Sequence, residues 1–426
     1  MTRVVACPAA AGGVYTLWVR RAVLLIGLSW FLAACSSDSG SETETPAELD
    51  TRPGFALGSE HSCLLLESGN VYCWGSNASG QLGLPGVAEL GKTEVAGSDA
   101  KVNVGAPVAQ LTAGVATTCA LLRDGSVKCW GKADLGELGG GSTQPTTVSP
   151  ADLDPVPLGG RAVAISSGWN HTCATLTSGQ VRCWGHGENG QLGNAEAVNF
   201  GDDEFASESP AVSLGGVVEF VVAGGDAACA ETQVGLHCWG RDVVAGSDQS
   251  IGDDERVDSL PPLEPGVVPV GLAVGQDRAC AWDASRVSCW GKNERAQLGL
   301  GDSQDRAVGK GLLDVSNIQN WVMGRWANCA LAGGEVSCSG SGSVGETGLG
   351  DGADWGDDEP FTEIPAVPLG GSVKLLGGGL SHFCALLADD GVRCWGLNDA
   401  GQLGIGSTET VGDNETPVST VALSFE

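Results

Sequence analysis

The side chains in this chain of 426 residues that could carry a proton, a metal or a nucleophile are five histidines, sixteen cysteines and 52 acids, set against 22 lysines and arginines. His61, His171 and His382 each stand two residues before a cysteine, whereas His186 and His237 do not. A histidine repeated at one place reads as a structural hydrogen-bonding residue, and Thr117, Ala227, Arg278 and Ala327 hold the equivalent place elsewhere, so no ring of ligands forms. The sequence has no Ser/His/Asp motif, phosphate loop or HExxH. No catalytic residue, cofactor or metal site is expected.

The acids do show a pattern. Gly-Asp-Asp-Glu occurs at 201–204, 252–255 and 356–359, and Gly-Asp-Asn-Glu at 412–415. Calcium takes six to eight oxygens around one point, and these runs lack the alternating spacing of an EF-hand loop. They read as turns with solvent-facing acids, and Asp202, Asp203, Asp253, Asp254, Asp357 and Asp358 are candidates for an anionic surface that meets a basic partner.

The cysteines organise the chain. Apart from Cys7 and Cys35 they fall in pairs: Cys63 with Cys73, Cys119 with Cys129, Cys173 with Cys183, Cys229 with Cys238, Cys280 with Cys289, Cys329 with Cys338, and Cys384 with Cys394. A glycine precedes each first cysteine by five residues, from Gly58 to Gly379. Trp-Gly follows the second cysteine in six units, and Ser339-Gly340 replaces it in the sixth. Gly-Gln-Leu-Gly or a variant comes next, except in the fourth unit, where Ala245 to Asp248 stand in its place. The period is about 53.5 residues, in the range of propeller blades.

The spacing within a unit sets a register. Asp124-Gly125 suits a three-residue hairpin loop with a bulged glycine, which pairs Leu122 with Ser126 and places Cys119 opposite Cys129. Pairs nine apart centre on two-residue turns such as Gly333-Gly334. Opposed residues lie within disulfide reach, so seven intra-hairpin bridges are expected, and zinc is favoured by neither spacing nor compartment. Both faces of these hairpins are apolar, which suits a strand inside a stack of sheets. With a short strand upstream, such as 162–166, and a Pro-Val segment before it, each unit supplies about four strands. The expected fold is all-β: a seven-bladed β-propeller over residues 53–426, with the last strand, 417–425, completing the first blade. The tryptophans then belong to the core between blades.

The unit Gly-x-x-His-Ser/Thr-Cys, Gly-x-Val-x-Cys-Trp-Gly, Gly-Gln-Leu-Gly, best seen at 58–83, 168–193 and 379–404, resembles the repeat of the regulator of chromosome condensation (RCC1-like) family in its cysteine-paired bacterial form. The resemblance implies the propeller and its use as a protein-binding platform, without naming a partner. The family's namesake exchanges nucleotide on a nuclear GTPase and binds chromatin.

The N-terminus bears on compartment. Arg20-Arg21 precedes an uncharged apolar run, Ala22 to Ala34, too short to span a bilayer and ordered like a secretory signal. Leu32-Ala33-Ala34-Cys35 resembles the lipobox of bacterial lipoproteins, which implies cleavage after residue 34, lipidation of Cys35 and an exported chain held at the membrane by its lipid. Ser36 resembles the pattern of outer-membrane sorting. Residues 35–52 read as an acidic, solvated linker. Loss of Arg3, Arg20 and Arg21 takes the net charge from −30 to −33, which repels nucleic acid and chromatin. The expected function is a monomeric, non-catalytic envelope module that binds a protein or surface polymer. The alternatives are a lyase or hydrolase at the central channel, or a surface-coat component.

Overall fold

The computed structural model describes residues 47–241 and 250–425; the signal segment 1–34, Cys35 and the Ala245–Asp248 variant lie outside them. The residues from Pro46 onward form one compact unit. It is a seven-bladed β-propeller. Seven inner strands, Gly54–Leu57, Val108–Ala113, Ala162–Ser167, Val218–Gly224, Gly271–Val274, Ile318–Met323 and Val373–Gly378, contact one another in sequence, and the last touches the first. Each pairs antiparallel with the first arm of a buried hairpin, for example His61–Leu65 with Val71–Ser76 in the first blade.

The hairpin register follows the turn chemistry. Cys119 faces Cys129, the Leu122 N–H donates to Ser126 O at 2.8 Å, and Gly125 takes φ 85°. Gly333 and Gly334, at φ 62° and 89°, make the two-residue turn that sets Cys329 opposite Cys338. Both of these pairs are disulfides. So are the other five: Cys63 is bonded to Cys73, Cys173 to Cys183, Cys229 to Cys238, Cys280 to Cys289, and Cys384 to Cys394. In all seven the Cα atoms are 4.0–4.1 Å apart, nearer the ~4.5 Å of a non-hydrogen-bonded pair than the ~5.5 Å of a hydrogen-bonded one. Every bridge stays inside its own hairpin, so none joins one blade to another.

The outer strands correct the expected division into blades. The Pro-Val segments pair backwards, onto the third strand of the preceding blade: the Val212 N–H donates to Val181 O at 2.9 Å and that of Val156 to Val127 O at 2.7 Å. By the same rule Leu423 bridges Val392, so the C-terminal segment completes the seventh blade and not the first. The first blade takes its outer pieces, Glu89–Leu90 and Lys101–Val102, from the chain that follows it. The seventh blade meets the first through backbone hydrogen bonds, Leu380 N–H to Gly58 O at 3.1 Å and Ala96 N–H to Gly404 O at 2.8 Å, and through side-chain packing: Phe425 stacks on Trp74 of the first blade with centroids 5.1 Å apart.

A second correction concerns the linker, because residues 47–52 are docked on the propeller. The Leu49 N–H donates to Arg123 O, the Arg123 guanidinium donates back to Leu49 O, and that of Arg161 reaches Ala47 O at 3.1 Å. Two arginines at turns of the second and third blades attract a segment containing Glu48, whose carboxylate lies 3.5 Å from Arg123.

Strand direction fixes two faces. Inner and third strands run up, second and outer strands down. The Gly58-type turns, the Gly-Gln-Leu-Gly turns and the acidic loops therefore share the upper face. The hairpin turns, the blade-to-blade connections and the docked segment 47–52 share the lower one.

Candidate functional site

The invariant glycine ends or directly follows each inner strand. A Cβ on Gly58 would lie 2.7 Å from Gly114 O of the next blade and closer still to the His61 ring, so only glycine lets the blades meet here. The following residues carry backbone hydrogen bonds from blade to blade: Ser59 N–H to Val115 O, Val115 N–H to Trp169 O, Trp169 N–H to Gly225 O, Arg325 N–H to Leu380 O and Leu380 N–H to Gly58 O. Inside this rim lies a central cavity of ≈ 320 Å³, lined by glycine, apolar side chains, serines, Asn320, Gln276 and Arg325. Among the described residues that line it there is no histidine, aspartate or glutamate to move a proton.

The histidines sit between blades instead. Thr118 Oγ1 donates to Gln81 O at 2.8 Å, so His61 Nε2 donates to Thr118 Oγ1 at 2.9 Å. Ser62 likewise donates to Gln402 O and accepts from His382 Nε2 at 2.8 Å. Burial lowers the pKa of His61 to about 4 and of His382 to about 3, so both rings are neutral. His171 is also held neutral by burial, at about 3, but the fourth blade has Ala228 in the place of Thr118. The fifth blade substitutes the fully buried Arg278, which donates to Asn328 Oδ1, while Asn328 donates to Gln297 O. The sequence shows the histidine but not this relay; its one signal is the hydroxyl or amide residue before the cysteine, Ser62, Thr118 or Asn328.

The tryptophans tie the same seam. Trp130 Nε1 donates to Gln81 O, Trp184 to Glu137 O, Trp239 to Gln191 O, Trp395 to Glu346 O and Trp74 to Gln402 O, all at 2.9–3.1 Å. In each case the second residue of one blade's Gly-Gln-Leu-Gly turn receives the next blade's indole. Ser339 Oγ, in the place of a tryptophan, donates to Gln297 O at 3.1 Å.

The acidic loops lie on the upper face at four blades, the third, fourth, sixth and seventh. Their glycines are structural: Gly201 has φ 104°, its Cβ would lie 2.5 Å from Gly136 O, and its own carbonyl accepts from Gly141 N–H of the preceding blade. Glu204 and Glu359 turn back to accept from Gly201 N–H at 3.0 Å and Gly356 N–H at 2.6 Å. Partial burial and the neighbouring aspartates raise Glu204 to about 7 and push Glu255 and Glu359 in the same direction. Asp202, Asp203, Asp253, Asp254, Asp357 and Asp358 are half-buried to exposed, and within each loop the carboxylates gather within 4.8 Å of one another. The structure thus places all six on one face, in three separate clusters.

A sequence model of the regulator of chromosome condensation (RCC1) repeat matches residues 55–81, 108–137, 162–191 and 373–402, and a second model of that repeat matches 124–175. The matches fall in blades one, two, three and seven. The unmatched blades are those that depart from the pattern, with Ala228, Arg278 and Ser339 at seam positions. The ultraviolet-B receptor UVR8 of Arabidopsis thaliana is 28% identical over 390 residues, covering 87% of this chain and 82% of its own. The human E3 ubiquitin-protein ligase HERC2 is 30% identical over 363 residues, 81% of this chain, which spans 7% of HERC2's length. Among solved structures, Prp20p of Saccharomyces cerevisiae, described with its binding to Gsp1p and histones, aligns over 85% of this chain and 76% of its own at 19% identity and a TM-score of 0.46.

Proposed function

We propose that this RCC1-like propeller is a non-catalytic binding module, tethered to the bacterial envelope through a lipid on Cys35, whose upper face engages a basic protein or surface polymer. The observation that carries the reading is the common placement of the acidic loops. Four of seven blades present carboxylates on the face opposite the docked N-terminal segment, on a scaffold whose seams are locked by tryptophan, histidine and glycine. Loops on a rigid frame are where recognition concentrates.

Two experiments test the two parts. Cys35→Ala abolishes incorporation of labelled fatty acid; undiminished labelling contradicts the anchor. Changing Asp202, Asp203, Asp253, Asp254, Asp357 and Asp358 to Asn leaves folding intact, weakens binding to a partner captured from solubilised envelope, and flattens its salt dependence. Unchanged affinity at low salt would reduce these loops to structural spacers.

A further inference from the structure

The residue after each Trp-Gly glycine is a basic side chain in four consecutive blades: Lys132, His186, Arg241 and Lys292. In the second, third and fifth blades its partner is an acid or an amide. In the second blade Lys132 Nζ lies 3.1 Å from Glu137 Oε1, and Glu137 is 2% exposed. In the third, His186 Nδ1 meets Gln191 Nε2 at 2.7 Å. In the fifth, Lys292 Nζ binds Asp305 Oδ2 at 3.0 Å, while the other oxygen of Asp305 accepts from Asn293 N–H.

The sixth blade combines the acid of the second with the acid of the fifth and has no lysine after its Ser339-Gly340. Glu346 occupies the Glu137 position, accepts from Val344 N–H through Oε2, and is 1% exposed with Oε1 unpartnered. Asp354 occupies the Asp305 position and accepts from Gly342 N–H through Oδ1 at 3.1 Å. Position 341, where the lysine would stand, is Ser341, whose hydroxyl donates to Ser343 Oγ. Arg295, an exposed base of the fifth blade, pairs with Asp354 Oδ2 at 3.9 Å. Burial, and to a lesser degree the charge of Asp354, hold the Glu346 carboxyl up at about 7.

We propose that the sixth blade binds a hard divalent cation between Glu346 and Asp354, in the space that a lysine ammonium fills in the second and fifth blades. Carboxylate and hydroxyl oxygens suit calcium or magnesium, with water completing the shell. An oxygen this buried suits a bare ion better than the four-carbon stem of a partner's lysine. The site is separate from the acidic loops and independent of the partner reading.

The chain itself supplies the controls. Glu346→Gln installs the residue used at 81, 191, 297 and 402, and Ser341→Lys installs the cation used at 132 and 292. Calcium chloride at millimolar concentration raises the thermal midpoint of the mature wild-type chain by about 2–4 °C above its value in chelator. Both variants match or exceed the wild type in chelator, and both lose this site's share of the calcium response; magnesium serves as the comparison ion. The proposal is overturned by a wild type without a response, or by a response equal in size in the wild type and both variants. The six-fold Asn variant keeps the response, which separates this site from the acidic loops.

Discussion

At the residue scale, the seams between blades rest on a few carbonyls used twice. Gln81 O receives both the Trp130 indole and the Thr118 hydroxyl. Trp130→Phe removes one donor but leaves the carbonyl partnered, so the expected loss is about 1 kcal/mol, against about 3–5 kcal/mol for Trp130→Ala, which empties a fully buried site. Denaturant titration distinguishes the two. The buried histidines give a pH dependence of definite sign. Their folded pKa values, about 3–4, lie below the ordinary 6.5, so the stability they contribute is complete above pH 6.5 and is lost as pH falls toward 4 and 3. Glu204 and Glu346, raised to about 7, act the other way, and the stability linked to them is lost as pH rises from 4.5 through 7. The thermal midpoint therefore peaks in mildly acidic buffer, and His382→Gln makes the acid limb shallower. An acid limb equally steep in that variant would show that the His382 relay does not titrate with folding.

At the element scale, what the sequence reveals is what is local. Turn length and cysteine spacing change together, so the register of every hairpin and the pairing of all fourteen cysteines can be read from single units, from Cys63 with Cys73 to Cys384 with Cys394. The assignment of the outer strands cannot. In a ring of identical four-strand units, a Pro-Val segment between two hairpins reads equally well as the start of one blade or the end of the one before. Only the hydrogen bonds from Val156 to Val127 and from Leu423 to Val392 decide it. The docked segment 47–52 is missed for a similar reason, since its partners Arg123 and Arg161 lie 74 and 114 residues away. Because 417–425 completes the seventh blade, truncation before Pro417 exposes Val392 in that blade and uncovers Trp74 across the seam. Limited proteolysis should then cut first within 373–416. Preferential cleavage in the first blade would restore the closure expected from sequence.

At the scale of the whole molecule, the repeat separates what is constant from what varies. Glycine, cysteine and tryptophan recur because each fills one packing role in blade after blade, and the central cavity inherits that role, with a lining of glycine and small side chains. The acidic face was legible as a motif recurring at one place in several units, and so on one side; that this side lies opposite the docked segment 47–52 was not, because the docking depends on Arg123 and Arg161. The sixth-blade acids were legible merely as a variant, Gly-Glu-Thr-Gly, because their meaning depends on a lysine that stands in other blades of the ring. The most direct test of the account is chemical cross-linking of the mature protein in intact envelopes with a carboxylate-to-amine reagent, followed by peptide mapping. Intermolecular cross-links should concentrate in 201–204, 252–255, 356–359 and 412–415 on the upper face. Cross-links concentrated at the acids of the lower hairpin turns, such as Asp124, Asp283 and Asp389, would contradict it.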